Sequence, residues 1–219
     1  MERWKNSVRD PGKFLWVKIA RENIREKLQN KSWNSILAQQ HKNMLSDAIE
    51  KLQQKTCLKF LPHGGEKDFI VIQNEATGCW SSVGKTGGPQ TVNYQTPGCL
   101  IKLGTVMHEL LHAVGFYHEQ NRFDRDRHVR INTKNIPEDK LINFERISEK
   151  EISDYGVGYD VKSVLHYSPF AFSKNNQMTI ESLKDKKLND EMGQREKLSA
   201  GDVKKINSMY CGKWKLTFH

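Results

Sequence analysis

The chain has no apolar run approaching the roughly 20 residues that a membrane-spanning helix needs, which excludes a helical membrane span. The opening residues Met1-Glu2-Arg3-Trp4-Lys5 are not followed by the apolar core of a secretory signal. The chain therefore reads either as cytosolic or as a mature form without its targeting segment. Cysteine is sparse, with four residues in 219 and no CxxC pair, which argues against a cysteine zinc site or a thioredoxin-like motif. Basic and aromatic residues do not interleave as they do in single-strand binders. The net charge of +9 thus reads as a solvated surface, and nucleic acid is not an expected partner. No internal repeat and no low-complexity tract is present. Gly84-Lys85-Thr86 resembles the end of a phosphate-binding loop, but the first Gly of that motif would fall on Cys79, and Gly78 is one residue out of register.

What is present is an ordinary globular composition, 37% hydrophobic and 28% charged, long enough for one large domain or two subdomains. Phe14–Ile19 reads as a short strand and residues 21–33 as a short helix. A longer helix is expected over Asn34–Gln54, where Ile36, Leu37, Met44, Leu45, Ala48, Ile49 and Leu52 recur at three-to-four spacing, with Asn34 or Ser35 as its cap. Cys57–Leu61 and Phe69–Gln73 read as strands around a Gly-containing turn. Another helix is expected over Leu100–Val114 and a last one from Ser199, its cap, to Tyr210. Between those two, Pro137, Gly156, Gly158 and Pro169 punctuate an irregular stretch. Cys57, Cys79, Cys99 and Cys211 permit two disulfides in three connectivities and lean toward an oxidising compartment. Asn30-Lys31-Ser32 is a glycosylation acceptor triplet.

The densest chemistry lies in His108-Glu109-Leu110-Leu111-His112-Ala113-Val114-Gly115-Phe116-Tyr117-His118. On a helix, His108 and His112 are one turn apart on one face. A straight helix does not bring His118 to the same point. Gly115 does, because a Gly just past a helix end accepts the left-handed backbone that turns the chain. Three neutral ligands plus one open position is the coordination of a catalytic zinc, in which the metal activates water and polarises a carbonyl. Glu109, beside the first ligand, is then the general base. By themselves Glu119 reads as a surface carboxylate and Arg122, Asp124, Arg125 and Asp126 as a solvated ion-pair loop.

From His108 to Asp126 the sequence HELLHAVGFYHEQNRFDRD resembles the signature HExxHxxGFxHExxRxDRD of the astacin family of zinc endopeptidases. The resemblance covers roughly residues 56–211. Supporting blocks are Gly78–Gly84, Gly87-Gly88-Pro89-Gln90, Tyr159-Asp160, Ser163-Val164-Leu165-His166-Tyr167, Gly193-Gln194-Arg195 and Leu198-Ser199. It implies His108, His112 and His118 as zinc ligands, Glu109 as base, and Tyr167 as the group that stabilises the oxyanion. It implies that Glu119 meets the mature N-terminus through water, with Asn6 as the new terminus after cleavage at Lys5. It also implies disulfides Cys57–Cys211 and Cys79–Cys99, and an edge strand in the 78–90 region that pairs with substrate. The Met of the family's Met-turn is Leu165 here, a swap of similar volume.

The expectation is therefore a single astacin-like catalytic domain over residues 1–219, with residues 1–5 as the remnant of a pro-segment. Its fold class would be α+β and zincin-like, in two subdomains: a twisted mixed sheet with two long helices first, then an irregular half with a terminal helix. Its function would be zinc-dependent hydrolysis of internal peptide bonds, on a protein or peptide held extended, by a secreted monomer. The alternative is a catalytically silent zinc-containing binding or adhesion module.

Overall fold

The computed structural model describes residues 16–20 and 35–211. The expected helix over 21–33, the Asn34 cap, the Asn30 acceptor and the N-terminal residues 1–6 lie outside that range. The described residues divide into two compact units, one of those up to residue 116 together with 206–211, the other of residues 117–205.

The first unit contains a five-stranded mixed sheet. Its strands are β1 (Trp16–Ala20), β2 (Lys59–Pro62), β3 (Phe69–Gln73), β4 (Cys79–Ser81) and β5 (Pro89–Tyr94), in the order β2-β1-β3-β5-β4. The β1 strand is parallel to β2 and β3, and β3 is parallel to β5. β4 runs antiparallel to β5, pairing Cys79 with Tyr94 and Ser81 with Val92, and ends the sheet. β3 reads FIVIQ and buries Ile70 and Ile72 while the residues between them are half-exposed, the period-2 pattern of a strand with one packed face.

Helix α1 (Ser35–Lys55) carries the apolar stripe: Leu45, Ala48 and Leu52 are buried at three-to-four spacing. It packs against α2 (Leu103–Ala113). α2 starts three residues later than the sequence pattern suggests, because Gly98–Leu100 winds instead as a short 3-10 turn that buries Cys99 and Leu100. Tyr94, at the end of β5, is fully buried and donates its hydroxyl to the Val106 carbonyl within α2. Cys57 is bonded to Cys211, and Cys79 at the start of β4 to Cys99.

The second unit is mostly loops and short 3-10 turns around one two-stranded antiparallel sheet, β6 (Val129–Ile131) with β7 (Ile180–Ser182). Its core is Val129, Ile136, Phe144, Ile180 and Met192. Backbone carbonyls that regular structure would have satisfied are met by side chains instead. Asn121 Nδ2 donates to the carbonyls of Asn143 and Glu145, and the Asn132 and Asn135 amides both donate to Met178.

Helix α3 (Ala200–Tyr210) begins in the second unit and ends in the first. Ser199 caps it: Ser199 Oγ accepts from the Asp202 N–H at 2.9 Å, and Asp202 Oδ2 accepts from the Ser199 N–H at 2.9 Å. This is a reciprocal capping box with Asp in place of Glu.

Candidate metal centre and active site

Every residue from Val106 to Ala113 of α2 is buried. Three of them, His108, Glu109 and His112, are polar. Burying polar groups is costly unless they are paired or coordinated, so a buried polar trio on an otherwise apolar helix marks a site rather than a packing accident.

The helix ends in a Schellman motif. The Gly115 N–H donates to the His112 carbonyl at 2.8 Å and the Phe116 N–H to the Leu111 carbonyl at 3.0 Å, with Gly115 at φ +107. Phe116 thereby returns to the helix, and its carbonyl accepts from His112 Nδ1 at 2.7 Å. A carbonyl only accepts, so Nδ1 carries the proton and Nε2 carries the lone pair. That Nε2 faces His108 Nε2 at 3.0 Å. His118 completes the group, and the ligand atoms of His108, His112 and His118 all lie within 4.8 Å of one another. Converging imidazole nitrogens with the tautomer of one already set suit a borderline-soft divalent ion. Of the other two residues singled out for chemistry, Glu109 is buried on α2 and its negative charge reaches Tyr94. Burial first, and that charge second, hold the Tyr94 phenol well above its ordinary value. Tyr167 packs its ring 4.5 Å from that of His118, with Phe144 and Phe172 at 5.7 and 5.6 Å on its other sides.

The turn Ser163–His166 is buried throughout. Asp202 holds it, Oδ1 accepting from Ser163 Oγ at 2.6 Å and Oδ2 from the Val164 N–H at 2.9 Å. Leu165, in the Met position, is buried, and its carbonyl accepts from the Glu119 N–H at 3.1 Å. The backbone of Tyr167 is clamped from both sides. Its N–H donates to Gln120 Oε1 at 3.0 Å, and its carbonyl accepts from His166 Nδ1 at 2.6 Å. His166 Nε2 accepts in turn from the Tyr159 hydroxyl at 2.7 Å. Burial pulls the fully enclosed His166 down to about 4, so it stays neutral.

Glu119, Arg122 and Arg125 are not surface groups. Glu119 is buried; its Oε1 accepts from the Asp160 N–H at 2.9 Å and from Arg122 at 3.3 Å, and its Oε2 meets the Lys205 ammonium. Arg122 grips Asp124 through two 2.9 Å bonds and donates to the Val157 carbonyl, while Arg125 donates to the carbonyls of Gln120 and Phe144. Arg122 and Arg125, which read as part of a solvated loop, are thus folded into a network where carboxylates match their charge and carbonyls take their spare donors. Asp126, at the end of the run, is exposed as expected. Burial pushes the Glu119 carboxyl above its usual range, against the pull of Lys205 and Arg122. The contact between Glu119 and the mature N-terminus lies outside the described residues. Asp202 and Lys205 were not singled out in the sequence. Asp202 carried a readable signal, its capping-box position three residues after Ser199; the burial of Lys205 carried none.

The family model for Astacin, a family of peptidases, matches residues 16–211. The chain belongs to the astacin family. Zinc metalloproteinase nas-13 of Caenorhabditis elegans is 44% identical over 170 residues, 77% of this chain and 36% of that protein. Embryonic protein UVS.2 of Xenopus laevis is 39% identical over 204 residues, 93% of this chain and 38% of that protein. Among solved structures, high choriolytic enzyme 1, a hatching enzyme zinc-protease from Oryzias latipes, superposes with a TM-score of 0.79 at 30% identity, covering 96% of this chain and 98% of that one. The fold is accordingly the α+β, zincin-like fold of astacins, and the cofactor is zinc. The chain spans little more than a third of the length of these first curated relatives. Among the described residues no helix is long and apolar enough to cross a membrane.

Proposed function

We propose that this chain is a single astacin-like catalytic domain that hydrolyses internal peptide bonds of proteins with zinc. The observation that carries the reading is the convergence of three imidazoles within 4.8 Å, with the buried Glu109 beside the first of them. His108, His112 and His118 hold the metal. When bound, zinc lowers the pKa of water toward neutrality and polarises the scissile carbonyl. Glu109 takes the water proton onto its carboxylate and delivers it to the leaving amine. Tyr167 donates its phenolic proton toward the oxygen that gains charge, from a ring fixed by Phe144 and Phe172 and a backbone fixed by Gln120 and His166.

The substrate is a polypeptide in extended conformation. β4 supports this, since it lies at the end of the sheet order, where a peptide adds as a further strand through main-chain hydrogen bonds. The paired cysteines support a secreted protein, because disulfides persist in oxidising compartments. We read the domain as acting as a monomer, and Glu119 as the residue turned toward the processed N-terminus. Cleavage of a denatured generic protein, abolished by a chelator and restored by added zinc, tests the reading. Zinc binding without any cleavage would favour the silent binding module.

A further inference from the structure

Glu119, Arg122, Asp124 and Lys205 lie in one network of charges within the second unit, and Lys205 also acts on the buried Asp202. Arg122 is committed to Asp124 by two parallel 2.9 Å bonds and meets Glu119 only at 3.3 Å. Among the described residues the main counter-charge of Glu119 is therefore Lys205, whose ammonium meets Oε2 with both side chains almost fully enclosed, 9% and 4% exposed. Lys205 lies one turn beyond Asp202 on α3. The same helix face thus holds the Ser163–His166 turn through Asp202 and Glu119 through Lys205. Glu119 directly follows His118, its N–H is tied to the Leu165 carbonyl, and the His118 carbonyl accepts from the Asn121 N–H. Glu119 is thus held at its backbone and at both carboxylate oxygens, which sets the path of the chain where the third imidazole leaves it.

We propose that Lys205 is a positioning residue for the third zinc ligand: it supplies, from within the fold, the cation that keeps Glu119 buried and His118 in place. The inference rests on the zinc-site reading but not on proteolysis. A partner of a ligand that lies outside the coordination shell sets metal affinity by orienting the ligand. Removing one member of a buried ion pair strands the other, whereas removing both leaves no unmatched charge.

The test compares wild type, Lys205→Met, Glu119→Gln and the double variant, each assayed for zinc affinity by chelator competition and for kcat and KM on a peptide. Lys205→Met and Glu119→Gln should each weaken zinc by about 10-fold or more. Each should lower kcat with little change in KM. The double variant should bind zinc more tightly than either single one. Wild-type zinc affinity in folded Lys205→Met, or a double variant no better than the singles, overturns the proposal. If Lys205→Met does not fold, Glu119→Gln against the double variant decides in the same way. A wild-type protein that binds zinc but cleaves nothing counts against the protease reading alone.

Discussion

The Nδ1–H of His112 donates to the backbone carbonyl of Phe116 across 2.7 Å, so the orientation of one imidazole and the end of helix α2 are a single structural feature. The link exists because Gly115, at φ +107, lets the chain turn back. A methyl group there would meet its nearest neighbours at 3.6–3.8 Å, so space is not the obstacle; backbone conformation is. Gly115→Ala is expected to destabilise the protein by about 1 kcal/mol or more and to weaken zinc binding. Denaturant titration with chelator competition measures both. Unchanged stability and unchanged affinity would show that the turn does not orient the ligands.

Asp202 caps α3 and holds the turn at Ser163–Val164 with the same carboxylate. Asp202→Ala leaves three donors without their acceptor, each loss costing roughly 1–3 kcal/mol. Equilibrium unfolding should therefore show a loss above about 3 kcal/mol, beyond the roughly 1 kcal/mol of an ordinary cap. A loss no larger than that of Ser199→Ala would mean the carboxylate serves only the helix.

His166 makes stability depend on pH. Its folded value is about 4 against 6.5 for the free side chain, so the unfolded chain takes up a proton that the folded chain refuses. The stabilisation is complete above about pH 6.5 and is lost as pH falls from there to about 4, reaching roughly 3 kcal/mol. His166→Asn keeps a donor for the Tyr167 carbonyl and removes the titration. Its unfolding free energy should fall less steeply between pH 7 and 5 than that of wild type, and parallel curves would contradict the assignment.

Tyr167→Phe retains the ring that packs on His118, Phe144 and Phe172 and deletes only the hydroxyl. Loss of one oxyanion donor typically costs about 10²–10³ in kcat. Zinc content and KM should stay close to those of wild type. A kcat within about threefold of wild type would remove Tyr167 from the mechanism.

Periodicity made the first unit readable. The stripe Leu45-Ala48-Leu52 is a direct consequence of packing one face of a helix and appears where the pattern places it. Phe69–Gln73 is the strand its apolar run suggests, although only the structure shows that Ile70 and Ile72 face the core. The meeting of the three imidazoles was legible for a similar reason, because i,i+4 spacing and a Gly are local geometry. The second unit has no such pattern. Asn121, Arg125, Asn132 and Asn135 hold its loops by side-chain bonds to carbonyls distant in sequence, and nothing in their spacing announces those partners. Glu119 and Arg122 look solvated because a charge shows no sign of burial until its partners are assembled. One of those partners, Lys205, lies 86 residues away.

The central claim is that the three-histidine group and Glu109 together cleave peptide bonds. Measuring bound zinc and endopeptidase activity in Glu109→Ala alongside wild type tests it most directly. The account predicts one zinc per chain in both proteins, with proteolysis in the variant reduced by about 10²–10⁴ or more. Undiminished cleavage by the zinc-loaded variant would contradict it.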